Sequence, residues 1–456
     1  MLRHLIALGS LLLAPFSSAA PSWNSAHAAN PILPGYYADP SLVQYEGKNY
    51  LYATLDPWGD ETLGCWESSD FKDWTYRVLN WPTKTACQSP TSGGSGVWAP
   101  SVVRAPDGRF YLYVSVRNEV WVGVADHPLG PWQNALGDRP LIDGKFRPGF
   151  HMIDAEAFVD DDGSAYLYWG SGHGWKNGRC WAVKLGPDMI RFDGEVRDVT
   201  PTNYFEAPFV LKHDGKYYLS YSQGITIQDS YRVHYAISAT PFGPFVEASN
   251  SPILVTDHAT NVVSPGHHAF FVRDGKPYIL YHRHSIPFDP KFVGRQTCVD
   301  PIHFTAEGLI EKITPTHTGP ALIQGRAETS NLAAVATAST QDDDLHRPAC
   351  VLDDNYATRW TAAPTDTQPW VQLDLGSVQN ITRQLLRPEY AWKPYRFAVD
   401  SSTDGRTWTR LADHTRTPAG GSPIVIDAET SARYLRIIFS PVANEPAASL
   451  FEWTVR

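Results

Sequence analysis

The chain has 456 residues, 43% of them hydrophobic and 19% charged, so it exceeds one small domain and has the make-up of an ordinary globular protein. A formal net charge of −10 without a basic run excludes nucleic acid and anionic membrane surfaces as natural partners. Sixteen tryptophans and 22 tyrosines suit the apolar faces of sugars, although core packing is the simpler reading of any single ring.

Residues 1–29 read as a secretory leader: Arg3 and His4 precede an apolar run over 5–14, and small residues follow. That run is too short to span a bilayer and no later stretch can, so export is expected. Ala26-His27-Ala28 and Ser18-Ala19-Ala20 are the two cleavage candidates, the second followed directly by Pro21. Export permits disulfides; of the five cysteines, Cys65 and Cys87 fall within one repeat and could bridge, while Cys180, Cys298 and Cys350 have no evident mates.

From residue 30 onward one pattern recurs: a short polar head, an apolar strand, a Gly-containing turn and an aromatic strand. The copies begin at Asp39-Pro40-Ser41, Ala99-Pro100-Ser101, Asp154-Ala155-Glu156, Glu206-Ala207-Pro208 and His267-His268-Ala269. Their aromatic strands are Tyr50-Leu51-Tyr52, Tyr111-Leu112-Tyr113, Tyr166-Leu167-Tyr168, Tyr217-Tyr218-Leu219 and Tyr278-Ile279-Leu280-Tyr281. Five copies spaced about fifty to sixty residues apart predict a five-bladed β-propeller over 30–320, each blade completed by a second strand pair. Repeat heads then converge on one mouth of the central channel: Asp39, Trp98 or Ala99, Asp154, Glu206 and His267.

Between 321 and 330 the pattern lapses into a linker, and a second domain follows over 331–456. The stretches 370–375, 395–399 and 434–439 alternate apolar with polar, as β-sandwich strands with one buried face do. The fold class is therefore all-β, a propeller followed by a sandwich.

Three carboxylates in one funnel repel one another and lose hydration, an arrangement whose shifted pKa values suit acid–base chemistry. Glycoside hydrolysis needs one carboxyl to protonate the leaving oxygen and one carboxylate to activate water or attack. Glu206, between Phe205 and Ala207-Pro208, sits where apolar surroundings raise a carboxyl, as an acid requires. Strand alternation places Asp154 and Glu156 on the same face, so geometry does not choose between them.

The five heads, in order, resemble those of family 43 glycoside hydrolases over roughly residues 31–320. The resemblance implies Asp39 as general base, Glu206 as general acid and Asp154 as the residue that sets the acid's pKa and holds the sugar. It also implies inversion, no organic cofactor, and release of arabinofuranose or xylose from plant polysaccharides of the hemicellulose, arabinan or arabinogalactan type. Arg283 resembles a family arginine that reaches the sugar, with a surface ion pair as the alternative, and Trp98 is a site wall or blade packing. His267 resembles a histidine that faces an axial metal ion or water in family members.

The stretch 353–360, with 370–376 and the closing Leu450-Phe451-Glu452-Trp453, resembles discoidin-like domains, which include family 32 carbohydrate-binding modules. Asp353, Thr358 and Glu452 stand at the positions of a structural calcium site, and Asp354 stands where that motif has Gly. The expected activity is a secreted exo-glycosidase. Galactan or arabinogalactan side-chain hydrolysis on the same propeller, and a lectin with a vestigial site, are the competing readings.

Overall fold

The computed structural model describes residues 22–91, 93–94, 96–328, 332–442 and 446–456. Five separate sheets follow one another along the chain, four of four strands and a fifth of three, and these are the propeller blades. Blade one spans Tyr37 to Arg77, blade two Val97 to Asn134, blade three Glu156 to Asp198, blade four Glu206 to Glu247 and blade five Gly266 to Pro301. Aromatic second strands such as Phe110–Val116 and Ala165–Trp169 are buried throughout, because neighbouring blades cover both of their faces.

Every blade head carries the same irregularity. Asp39, Ala99, Asp154, Ala207 and His267 all have a left-handed backbone, with φ of 54°, 44°, 57°, 55° and 39°. In each, the first strand holds one residue more than its partner: Ala38 pairs with Thr54 and Ser41 with Tyr52, Trp98 with Ser115 and Ser101 with Tyr113. Glu206 pairs with Ser222 and Phe209 with Ser220, and Gly266 pairs with His282 and Ala269 with Leu280. In blade three the amide of Gly170 donates to Ile153 at 2.9 Å before Glu156 pairs with Tyr168. Such a bulge re-aims the side chain at the kink. Five bulges at one mouth turn five strand starts toward the axis.

Each kinked amide is held by a side chain of the preceding blade's second strand. Ala99 donates to Thr54 Oγ1 (2.8 Å), Asp154 to Ser115 Oγ (2.9 Å), His267 to Ser222 Oγ (3.0 Å) and Asp39 to His282 Nδ1 (3.2 Å). Blade three has Gly170 where the others have a polar side chain. There the amide of Ala207 donates to the carboxylate of Asp154 instead, at 3.2 Å. The outer edge of the three-stranded fifth blade is covered by the incoming chain: Ile32 donates to Thr297 at 3.0 Å, and the Asn30 amide bonds Val299 in both directions.

Residues 1–21 of the expected leader lie outside the described residues. The rest of it, 22–29, is built into the fold: Ala28 and Ala29 are buried, and Asn355 donates to the carbonyls of Trp23 and Ser25. The connection over 321–328 is likewise packed rather than free, with Ile323 and Arg326 buried. No disulfide joins Cys65 to Cys87; both fill the core between blades one and two as small apolar groups, and all five thiols are free and buried.

The second domain is one seven-stranded hydrogen-bonded set around a core containing Trp360, Val371, Leu373, Leu435, Ile437 and Trp453. The expected strands 370–375 and 434–439 fall within Trp370–Pro388 and Ile424–Phe439, and 395–399 overlaps Phe397–Ser402, which starts two residues later. It is fastened to the propeller. Tyr36 donates to Glu389 (3.1 Å), which also pairs with Arg359 and accepts from Ser449. Trp392 lies edge-on to Tyr37 and donates to Asp60 at 3.2 Å.

Candidate active site

The bulges open onto a pocket of about 580 Å³ whose lining includes Asp39, Asp154, Glu206, His267 and Trp98. All three carboxylates expected to converge do so. Asp39 and Asp154 occupy the left-handed position of their bulges, whereas Glu206 and Trp98 sit one residue earlier. The bulge also settles the choice between Asp154 and Glu156, because the extra residue breaks the alternation that put them on one face. Asp154 reaches the pocket, while Glu156 turns to the axis below and accepts from Ser101 Oγ at 2.7 Å.

Asp39 is 3% exposed and fully engaged. Its Oδ2 accepts from Thr54 Oγ1 at 2.7 Å; its Oδ1 faces Arg295 Nη1 at 3.0 Å and His267 Nδ1 at 3.2 Å. Burial alone would raise this carboxyl, but Arg295 and then His267 outweigh it and hold it far below the usual carboxylate range. Glu206 is treated oppositely: burial pushes it up to about 7, against hydrogen bonds from Tyr231 (2.7 Å) and Ser171 (2.8 Å). Asp154 is raised by burial and by the nearby Glu206 and Asp39. The pocket therefore pairs a carboxylate that stays ionised with a carboxyl that keeps its proton into mildly acidic pH, the division of labour that acid–base chemistry requires.

Arg295 and Arg117 line the pocket, and Arg283 does not. Arg283 follows His282, whose ring faces Asp39, so alternation sends it to the other face of the strand. There it is 1% exposed, donates to the carbonyl of His284 at 3.1 Å and lies beside Cys298 and Asp300. Arg295 begins the last strand of blade five and is gripped by Asp56 through its Nε (2.9 Å) and Nη2 (2.7 Å). Sequence reasoning also passed over Thr54, Ser171 and Tyr231. Thr54, Ser115 and Ser222 all fall two residues after the position paired with the strand following each bulge, a repeated polar residue that was there to be found.

Trp98 forms part of the wall, its Nε1 donating to the Arg117 carbonyl at 3.2 Å, and Trp58, Trp175 and Phe205 complete an aromatic rim. Trp175 arrives on a loop tied down by a two-stranded excursion, Phe150–His151 against Ser171–Gly172. Below the carboxylates the axis narrows to a chamber of about 10 Å³ between His267, His268 and Glu156. That is room for one water. His267 bridges Asp39 and Asp154, the latter at 4.0 Å.

In the sandwich, Thr358 Oγ1 donates to Asp353 Oδ2 at 2.7 Å, and Glu452 Oε2 accepts from the Asp354 amide at 3.0 Å. Asp354 takes the left-handed conformation, φ 53°, that its glycine-like position demands, and its carboxylate is held by Arg326. Burial and then Asp353 and Asp354 push Glu452 up; burial raises Asp353 to about 7. Among the described residues, the acidic group whose ligand atoms lie closest together is elsewhere, at the exposed turn bearing Asp342, Asp343 and His346.

A propeller whose closed mouth pairs an ionised with a protonated carboxyl under an aromatic rim defines a glycoside hydrolase. Residues 28–310 match the model of glycosyl hydrolases family 43, and residues 335–452 that of the F5/8 type C domain. The chain belongs to glycosyl hydrolases family 43, an inverting family, and carries a discoidin-like C-terminal domain. It is 34% identical over 324 residues to a β-D-galactofuranosidase of Aspergillus niger, covering 67% of this chain and 90% of that one. It is 26% identical over 337 residues to an arabinoxylan arabinofuranohydrolase of Bacillus subtilis, covering 64% and 65%. A solved glycoside hydrolase superposes over 95% of this chain and 99% of its own, with a TM-score of 0.78 and 27% identity.

Proposed function

We propose that the protein is a secreted exo-acting hydrolase that removes single terminal arabinofuranosyl or xylosyl units from plant polysaccharides or oligosaccharides. Asp39 is the base that takes a proton from the attacking water, Glu206 the acid that protonates the departing oxygen, and Asp154 tunes that acid and holds the sugar. Arg295 acts as a positioning residue, fixing the carboxylate of Asp39 in its ionised form. The observation that carries the reading is the split in protonation between Asp39 and Glu206 across one pocket closed beneath by the 10 Å³ constriction, a shape that takes a chain end.

A second reading, release of terminal galactofuranose, is favoured by the 34% identical relative, which this chain covers over 90% of its length. Hydrolysis of 4-nitrophenyl α-L-arabinofuranoside, β-D-xylopyranoside and β-D-galactofuranoside separates the readings. A purified protein that turns over none of them would sink both.

Export rests on residues 1–20. Cleavage after Ala20 is favoured over cleavage after Ala28, since 22–29 is packed against the sandwich. Asp353, Thr358 and Glu452 supply hard oxygen ligands in a place where two carboxyls are raised by burial, which suits a structural calcium ion. When bound, such an ion stabilises the loop against the last strand and takes no part in the chemistry.

A further inference from the structure

The sandwich reaches toward the catalytic pocket through blade one. Its stretch Tyr390-Ala391-Trp392-Lys393 enters that blade, where Ala391, 1% exposed, joins the core around Tyr37, Leu55 and Trp66. Trp392 packs on this core edge-on to Tyr37 and donates its Nε1–H to Asp60 Oδ2 at 3.2 Å. Asp60 ends the short loop that supplies Pro57, Trp58 and Gly59 to the pocket wall. We propose that Trp392 is a positioning residue for this wall, so that the second domain sets how firmly the enzyme holds its sugar. The inference rests on the reading of this pocket as the sugar site.

The loop needs support. Trp58 is 43% exposed and takes a left-handed backbone, φ 60°, which a bulky side chain adopts only where its surroundings impose it. From its own blade the loop is held by the Trp58 amide, which donates to Asp56 Oδ1 at 3.1 Å, and by the Gly59 amide, which donates to Leu55 at 2.9 Å. From blade two, Val97 donates to the Asp60 carbonyl at 2.8 Å, and a side chain on Gly59 would put its first carbon 2.6 Å from the Val97 oxygen. Trp98 follows Val97 directly, so Asp60 is the joint between two aromatic parts of the rim. Its carboxylate completes the clamp: Oδ1 accepts from the Glu61 amide at 2.7 Å and Oδ2 from Trp392.

The sandwich end of this strut is itself braced. Gly421 donates to the Ala391 carbonyl at 2.8 Å and Lys393 to that of Tyr390 at 3.1 Å, and the Tyr390 and Trp392 rings meet edge to face with centroids 5.3 Å apart. Trp392 therefore meets Asp60 from a fixed direction. Loss of its N–H releases one oxygen of the Asp60 carboxylate, and the strained turn at Trp58 relaxes away from the sugar. The reacting groups are insulated from this change, because Arg295, 5.4 Å from the Trp58 ring, keeps its bonds to Asp56 and Asp39. The effect falls on affinity rather than on the chemical step.

Trp392→Phe keeps a ring on the blade-one core and removes the donor, while Asp60→Ala removes the acceptor from the propeller side, so misfolding of one leaves the other informative. On the aryl glycoside that the wild type hydrolyses, each is expected to raise KM about fivefold with kcat within about twofold of wild type. The double variant should match the more impaired single variant, and in a Trp58→Ala background Trp392→Phe should raise KM no further. Unchanged KM in both single variants would overturn the proposal. So would an effect of Trp392→Phe that persists undiminished in the Trp58→Ala background, or one confined to kcat and the melting temperature, as simple loosening of the two domains would give. Failure of the parent reading shows separately, as a wild type inactive on every aryl glycoside.

Discussion

The chain gathers three carboxylates twice, Asp39, Asp154 and Glu206 in the propeller and Asp353, Asp354 and Glu452 in the sandwich. Both groups are crowded by burial, both contain raised carboxyls, and both have an arginine at hand, Arg295 in one and Arg326 in the other. They differ in what adjoins them and in the direction of the shifts. A 580 Å³ pocket opens onto the first, whereas chain packs against the second: His27 donates to the Asp353 carbonyl at 2.8 Å and Arg326 to Asp354 at 2.8 Å. In the propeller one carboxyl is driven down while its neighbours are driven up; in the sandwich Asp353 and Glu452 both move up. Crowded acids alone do not make an active site. An opposed pair beside an open cavity does.

The largest expected effect breaks the opposed pair. Asp39→Asn keeps the shape and the Thr54 contact, and Arg295 retains Asp56, but the amide takes no proton from water. Turnover should fall by about 10² to 10⁴ with the melting curve of a folded protein retained. A variant with wild-type kcat would end the assignment of Asp39 as base. The matching change in the sandwich, Asp353→Asn, should leave turnover near wild type.

Next in size is the effect of the leaving group. Glu206→Ala should lose activity severely on oligosaccharides and far less on a dinitrophenyl glycoside, whose phenolate departs without a proton. Asp154→Ala should be impaired on both. Parallel losses on good and poor leaving groups would remove Glu206 as the acid.

Smaller still is the pH response of activity. With Asp39 held far below the usual carboxylate range and Glu206 at about 7, kcat/KM should be flat through mildly acidic pH and decline on the alkaline side near pH 7. A decline beginning only at strongly alkaline pH would mean that Glu206 is not the group lost.

The smallest effect, on stability, has opposite signs for the depressed carboxyl of the propeller and the raised carboxyls of the sandwich. Asp39 is depressed in the fold, so its contribution is present above its unfolded pKa near 4 and lost as pH falls below it. Asp353 and Glu452 are raised, so the native state binds protons more tightly than the unfolded chain, and stability falls as pH rises above the unfolded values near 4, through about 7 for Asp353. In chelator the melting temperature of the full chain should therefore drop across that window, and calcium or Glu452→Gln should flatten the drop. A melt indifferent to calcium, chelator and Glu452→Gln alike would leave the sandwich cluster without a metal.

The blades and the three propeller acids were legible because repetition marks them, each acid heading a copy of one pattern and five copies specifying a ring, whereas the sandwich was legible from the alternation of its strands. Arg295 carries no such mark. It is a buried charged residue opening a strand that also buries Asp300, and only the ring closure brings it to Asp39, 256 residues away in sequence. Arg283 misled because it adjoins a channel histidine, and adjacency in a strand means opposite faces. Asp154 and Glu156 could not be separated because a bulge is invisible to a period-two reading, although the Pro at Pro40, Pro100 and Pro208 marks the same kink in three copies. Cys65 and Cys87 show the limit of spacing as a guide to bridges, since both positions are served by core packing.

The cycle of amide contacts has a consequence in time. Asp39 lies near the start of the chain, yet its amide is held by His282 and its carboxylate by Arg295, and the strand just before it is anchored where Ile32 donates to Thr297; His282, Arg295 and Thr297 are all late residues. During synthesis the base leaves the ribosome long before the residues that fix its charge, and until the fifth blade closes on the first it is an ordinary exposed acid. Asp39 therefore gains the contacts that hold it ionised only at ring closure, and a fragment that lacks the fifth blade is expected to show no turnover.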